Sequence, residues 1–111
     1  MHRFEIYLAD LSGGSGSEQG GVRPVMILQN DTGNLWSTTT VVCPLTSKQK
    51  PKMSTHVALT PADCGIRENS VLLCEQVRVL DKCRIIKRLG FLADKGKRDA
   101  VDRSLGIAVG L

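Results

Sequence analysis

The chain has 111 residues, 41% hydrophobic and 23% charged, which suits one soluble globular domain spanning 1–111 and leaves little room for a second core. No apolar run nears the ~20 residues of a membrane span, and Glu5 interrupts any signal-peptide core, so a cytoplasmic protein with no membrane partner is expected. A net charge of +4 favours an anionic partner, while only four aromatic residues (Phe4, Tyr7, Trp36, Phe91) argue against a broad base-stacking platform.

Residues 4–8 alternate, with Phe4, Ile6 and Leu8 on one face of a first strand. A Ser/Gly-rich loop follows at 12–16, with no side chain able to anchor it. Residues 23–29 read as a second strand whose near-continuous apolar run implies burial on both faces. Residues 30–34 carry turn chemistry, and the β-branched run at 38–43 predicts a third strand that Pro44 ends or bends. A polar, basic loop spans 45–52, then a short strand 56–59.

Thr60, Pro61 and Gly65 predict a single helical turn, with Thr60 as its cap, Pro61 at its first position and Gly65 as its stop. Residues 70–79 form the longest strand candidate, followed by a turn at Asp81 and Lys82 and a last strand at 84–89. Asp94 can cap a terminal helix to about residue 109, with an apolar stripe of Val101, Leu105, Ala108 and Val109. Gly96 and Gly106 each cost that helix ~1 kcal/mol relative to Ala, so it depends on docking. The sum is a mainly β fold: five or six short strands with small helices, closing on one core as a small barrel with a C-terminal helix.

Cys43, Cys64, Cys74 and Cys83 lack Cys-x-x-Cys spacing, and His2 and His56 complete no zinc pattern. Reduced, mostly buried thiols are expected, with no metal and no cofactor. No Gly-x-x-x-x-Gly-Lys-Ser/Thr loop and no carboxylate cluster is present, which argues against triphosphate and two-metal chemistry.

What remains is a phosphate-handling arrangement. Gly20 and Gly21 permit positive dihedrals, and Pro24 restricts Arg23 to extended geometry at a strand entrance. Arg23 can fork onto two phosphate oxygens, or equally form a surface ion pair with Glu18. Thr46, Ser47 and Lys48 offer hydroxyls and a cation at a strand end, or only a solvated loop. Asn30, Glu75, Gln76 and Arg78 can read base edges, although Glu75 with Arg78 also reads as a structural pair. His56 reads as a hydrogen-bonded structural histidine.

An ordered set of segments resembles the MazF/PemK (Kid-like) toxins of toxin–antitoxin modules: Ile6-Tyr7-Leu8-Ala9-Asp10-Leu11, Ser17-Glu18-Gln19-Gly20-Gly21-Val22-Arg23-Pro24-Val25, Gln29-Asn30-Asp31, Pro44-Leu45-Thr46-Ser47, Thr55-His56-Val57 and Ser70-Val71-Leu72-Leu73-Cys74-Glu75-Gln76-Val77-Arg78. The resemblance implies an SH3-like barrel, a homodimer and metal-independent, sequence-specific cleavage of single-stranded RNA, leaving a 2′,3′-cyclic phosphate and a 5′-hydroxyl. It places the catalytic arginine on Arg23 and the catalytic threonine on Thr46. Glu18, Gln19, Asn30, Ser47 and Gln76 fall where the family contacts RNA, and Gly20 and Lys48 complete the expected contacts. The resemblance also implies an acidic, MazE-like antitoxin laid across the RNA groove. The alternative is a non-enzymatic, CcdB-like toxin that binds a protein target such as DNA gyrase. Two departures stand out: Phe4, where the family usually has Gly, and the small residues of the 12–16 loop.

Overall fold

The computed structural model describes residues 1–13, 16 and 18–111. The loop expected at 12–16 therefore lies partly outside the described residues, as does Ser17. In chain order the elements are β1 (Glu5–Asp10), β2 (Val22–Ile27), α1 (Asp31–Trp36), β3 (Thr39–Thr46) and β4 (His56–Leu59). Then come α2 (Pro61–Cys64), β5 (Ser70–Leu73), β6 (Arg78–Asp81), β7 (Ile85–Phe91) and α3 (Lys95–Ala108). Single 3-10 turns stand at Cys74–Gln76 and Lys82–Arg84.

The antiparallel sheet runs β4-β5-β3-β2-β1-β7, and β6 joins β3 off this path. Among the described residues β4 and β7 do not pair, so the sheet is barrel-like without closing. β2 explains why the sheet needs cover on both sides. Its Met26 and neighbouring Leu28 pack with Ile6, Cys43, Leu45, Leu72 and Val101, while Val25 and Ile27 pack with Ala9, Leu11, Val42 and Leu80. All four of these β2-region residues are 5% exposed or less, as an uninterrupted apolar run requires. The expected single core is thus two clusters, one on each face of β2.

Several expectations change. Phe4 stands outside β1 at φ +72°, and Ala9 rather than Leu8 is fully buried. The turn at 30–34 opens α1: Asn30 caps it by accepting a hydrogen bond from Gly33 N at 2.7 Å. Pro44 neither ends nor breaks β3. It pairs with Val25 of β2 where the other edge of β3 passes from β6 to β5, a gap in the ladder that tolerates its missing N–H.

The long strand expected at 70–79 divides. Cys74 N donates to Thr55 O at 2.9 Å and Val77 N to Cys74 O at 3.2 Å, which turns the chain between β5 and β6. That division raises the strand count to seven. The last strand runs two residues past its expected end, to Phe91.

α2 forms as expected. Thr60 and Asp63 make a reciprocal capping box and Gly65 adopts φ +79°. α3 is capped by Asp94, which accepts from Lys97 N at 2.9 Å. Its buried stripe comprises Val101 and Ser104 with Leu105 and Ala108 packed alongside, while Val109 is exposed. All four cysteines are free; Cys43, Cys64 and Cys74 are buried and Cys83 is exposed. The Cys43 thiol donates to Cys74 O, and that bond together with burial pushes it far above the ordinary thiol range. It is an inert core hydrophobe. Among the described residues, no helix is long and apolar enough to cross a membrane.

Candidate phosphate-handling groove

The β2–β3 register settles how Arg23 and Thr46 relate. Val25 pairs with Pro44, Met26 with Cys43 and Ile27 with Val42. By alternation along each strand, Arg23 shares the face of Val25 and Thr46 the face of Val25's partner Pro44. Residues 23 positions apart in sequence are thus brought to one face, each two residues from the Val25–Pro44 pair.

Arg23 is half-buried and oriented by the turn that precedes it. Its Nε donates to Gly20 O at 2.8 Å and its Nη1 to Gln19 Oε1. These two donors go to a backbone carbonyl and to a side-chain amide oxygen, and together they fix the plane of the guanidinium. Gly21 supplies a positive dihedral to this turn, φ +71°, while the Gly20 carbonyl does the holding. Gln19 N in turn donates to Gln76 Oε1 at 2.8 Å. The guanidinium is therefore braced through Gln19 against the Cys74–Gln76 turn, a link spanning 57 positions.

Thr46 ends β3, is only 4% exposed, and its hydroxyl accepts from Lys48 N at 3.2 Å. Beside these two residues lies a cavity of about 460 Å³ lined by Glu18, Gln19, Pro44, Glu75, Gln76 and Arg78 among others. Neither Arg23 nor Thr46 lines it directly. Arg23 reaches it through Gln19, and Thr46 lies two residues along the same strand face from Pro44.

Glu75 and Gln76 enter the cavity because the 3-10 turn projects them from between β5 and β6. The structural pair expected between Glu75 and Arg78 is not what forms. Glu75 Oε2 instead meets His56 Nε2 at 2.9 Å, and His56 Nδ1 donates to Pro51 O at 3.2 Å. His56 is hydrogen-bonded at both ring nitrogens, in keeping with its reading as a structural histidine. Sequence reasoning missed its link to the cavity, because nothing local ties position 56 to position 75.

Two expected RNA contacts, Ser47 and Asn30, stand apart from this cluster, whereas Lys48 joins Thr46 through its backbone N. Ser47 and Lys48 are exposed. Ser47 lines a second cavity of about 490 Å³ with Leu8, Pro24, Leu45, Arg67 and Lys87, on the opposite face of the sheet from Thr46. Asn30 lies seven residues beyond Arg23 in a largely extended chain, roughly 20 Å away, with its side-chain oxygen engaged by Gly33 N. Among the described residues, no group of three His, Cys, Asp or Glu side chains is placed to hold a metal. Chemically, the cluster offers a fixed guanidinium and a strand-end hydroxyl suited to a phosphate's charge, beside a polar cavity suited to a base.

Known proteins resemble this chain in sequence and in fold. The Endoribonuclease MazF of Staphylococcus saprophyticus is 47% identical, with 96% of this chain and 92% of that protein covered. The crystal structure of MazF (Form-I) from Deinococcus radiodurans superposes with a TM-score of 0.83 at 26% identity, covering 100% of this chain and 97% of that one. A mycobacterial endoribonuclease in complex with its cognate antitoxin gives 0.82 at 22% identity, over 100% and 96%, which speaks to the fold alone. Residues 2–109 match the family model of the PemK-like, MazF-like toxin of type II toxin-antitoxin system. The chain belongs to that family of PemK/MazF-like toxins.

Proposed function

We propose that this chain is a single-domain, sequence-specific endoribonuclease toxin that cleaves single-stranded RNA without a metal and is held in check by an acidic, MazE-like antitoxin. The carrying observation is the β2–β3 register, which puts Arg23 and Thr46 on one face beside the 460 Å³ cavity. The 47% identity to an endoribonuclease MazF supports the activity, and the net charge of +4 suits both an RNA and an acidic inhibitor. A homodimer in the cytoplasm completes this reading.

The reaction asks little covalent chemistry of the protein. The RNA 2′-oxygen attacks phosphorus in line with the departing 5′-oxygen. A P–O2′ bond forms, the P–O5′ bond breaks, the 2′ proton leaves and the 5′-oxygen gains one. The products are a 2′,3′-cyclic phosphate and a 5′-hydroxyl. Arg23 is assigned to hold the phosphate, neutralise the charge that develops on it and transfer protons. Thr46 donates its hydroxyl to the same charge while its oxygen accepts from Lys48 N. Gln19 and Gly20 keep the guanidinium oriented before RNA arrives, so little ordering cost falls on the reaction itself. Glu18, Gln19, Gly20 and Gln76 form the near wall of the RNA path. Ser47, Lys48 and Asn30 are assigned to RNA beyond the reacting phosphate.

The test is cleavage of a mixed RNA pool in EDTA with end mapping. Wild-type activity should persist on chelation. Arg23→Ala should lose about 10²–10³-fold in kcat, and Thr46→Ala somewhat less. Full activity in Arg23→Ala, or loss of wild-type activity on chelation, would overturn this mechanism. Intact RNA with inhibited gyrase supercoiling would favour the CcdB-like alternative instead.

A further inference from the structure

The pair that joins His56 to Glu75 lies outside the Arg23–Thr46 cluster, yet it shapes the same cavity. His56 begins β4, its backbone N donates to Met53 O at 3.0 Å, and its side chain is only 8% exposed. The Pro51 carbonyl can only accept, so the hydrogen on Nδ1 points there. Nε2 then faces Glu75 Oε2, 2.9 Å away. The ring is fixed from both sides, by the basic loop and by the 3-10 turn.

Glu75 is thereby fixed as well. One carboxylate oxygen is spent on His56, which leaves Oε1 as the acceptor that Glu75 brings to the cavity it lines. A carboxylate repels phosphate, so in an RNA path its suitable partner is a donor on a base. Cytosine N4, adenine N6 and guanine N2 each present an amino group on an exposed edge of an unpaired base. Uracil presents one ring N–H between two carbonyl oxygens, which a fixed carboxylate oxygen meets poorly. Among the cavity-lining side chains, Arg78 and Gln76 stand next to Glu75 to complete a polar edge-reading set.

We infer that His56 is a positioning residue that fixes Glu75 as the acceptor for an amino-bearing base of the RNA, and that this pair sets part of the cleavage specificity. The inference rests on the endoribonuclease reading. A site built around one hydrogen bond discriminates against a base that lacks the matching group, because the base covers the acceptor and leaves it unpaired.

The experiment uses the full chain and short single-stranded RNAs built on the mapped wild-type cleavage site. At each flanking position, matched substrates differ by the exocyclic amino group alone: cytidine against 2-pyrimidinone riboside, adenosine against purine riboside, guanosine against inosine. The wild type should favour the amino-bearing member at one position by about 10-fold or more in kcat/KM. Glu75→Gln should reduce that ratio to within about 3-fold, since an amide turns either a donor or an acceptor to the base. His56→Ala should reduce it at the same position, and His56→Gln, which still donates to Glu75, should restore part of it. Circular dichroism melts and the native mass of each variant separate loss of fold from loss of specificity. Should His56→Ala fail to fold, Glu75→Gln decides alone, because Glu75 is a surface residue of the turn. An unchanged ratio in Glu75→Gln, with an active and discriminating wild type, overturns this inference and leaves the endoribonuclease reading standing. A wild type that shows no preference among matched pairs overturns it too. No cleavage by the wild type overturns both.

Discussion

α2 and the Cys74–Gln76 turn are each one helical turn between strands, yet they are encoded in opposite ways. α2 carries its instructions within six residues: Thr60 accepts from Asp63 N, Asp63 accepts from Thr60 N, and Gly65 takes the left-handed conformation that ends the turn. The 74–76 turn has no side-chain cap of its own. It is made by Thr55 O, by His56 on Glu75 and by Gln19 on Gln76, partners that lie 19 to 57 positions away along the chain. The self-contained turn builds the scaffold, whereas the turn made from outside builds the wall of the candidate site. A surface assembled from distant parts brings chemistry together, but it leaves no local signature.

The comparison breaks most severely where even the self-contained turn depends on a distant residue. α2 ends against β7 so closely that a Cβ on Gly90 would lie 1.9 Å from the Cys64 carbonyl oxygen. Backbone, not a flexible side chain, would have to yield. Gly90→Ala should therefore exceed the ~4–5 kcal/mol that marks an exceptional single substitution, and leave the chain largely unfolded at 37 °C. A denaturant melt close to wild type would show that β7 and α2 can separate without loss.

Phe4 is the next largest case. Its φ of +72° is a glycine-like conformation held by tertiary contacts. The ring is buried, and the guanidinium carbons of Arg3 and Arg98 lie 4.4 and 4.8 Å from its centroid. Phe4→Ala keeps the strained backbone and loses the burial, so it should cost about 3–5 kcal/mol. Phe4→Gly loses the same burial but relieves the strain, and should be about 1–2 kcal/mol more stable than Phe4→Ala. That order reverses the usual preference for Ala. Equal melting temperatures for the two variants would remove strain from the account.

These cases show what the sequence could and could not convey. The burial of 25–28 on both faces, the cap, stop and position of α2, and the capped terminal helix were all legible, because periodicity and capping act over a few residues. The departure noted at Phe4 was legible as well, but not that its dihedral is positive. The break at Cys74 was hidden by an apolar, punctuation-free run that reads as one strand. Pro44 misled for the reverse reason: a strong local breaker is harmless where its strand changes partner. Arg23 and Thr46 were legible as residues, whereas their placement on one face depended on the β2–β3 register. The Gln76–Gln19–Arg23 brace and the His56–Glu75 pair were out of reach, since each is set by where two loops meet.

The smallest effect tests whether α2 holds itself. Thr60→Ala removes the hydroxyl that accepts from Asp63 N and should cost about 1 kcal/mol, the ordinary worth of such a cap. The reciprocal half survives, because Asp63 Oδ2 accepts from the backbone N of residue 60, at 2.8 Å in the wild type. That bond, with the Thr60 hydroxyl contact and Lys97 nearby, outweighs partial burial and holds the Asp63 carboxyl below the usual carboxylate range. With the folded value depressed, its contribution is fully present above the ordinary aspartate value near ~3.9 and fades as pH falls through the folded value. The acid-sensitive part should therefore persist in Thr60→Ala and disappear in Asp63→Asn, when chemical melts are compared at neutral pH and in the acid limb. Wild-type stability in Thr60→Ala would mean that the turn is held by its contact with Gly90 instead. In that case α2 would be encoded from outside like the 74–76 turn, and the contrast between the two would vanish.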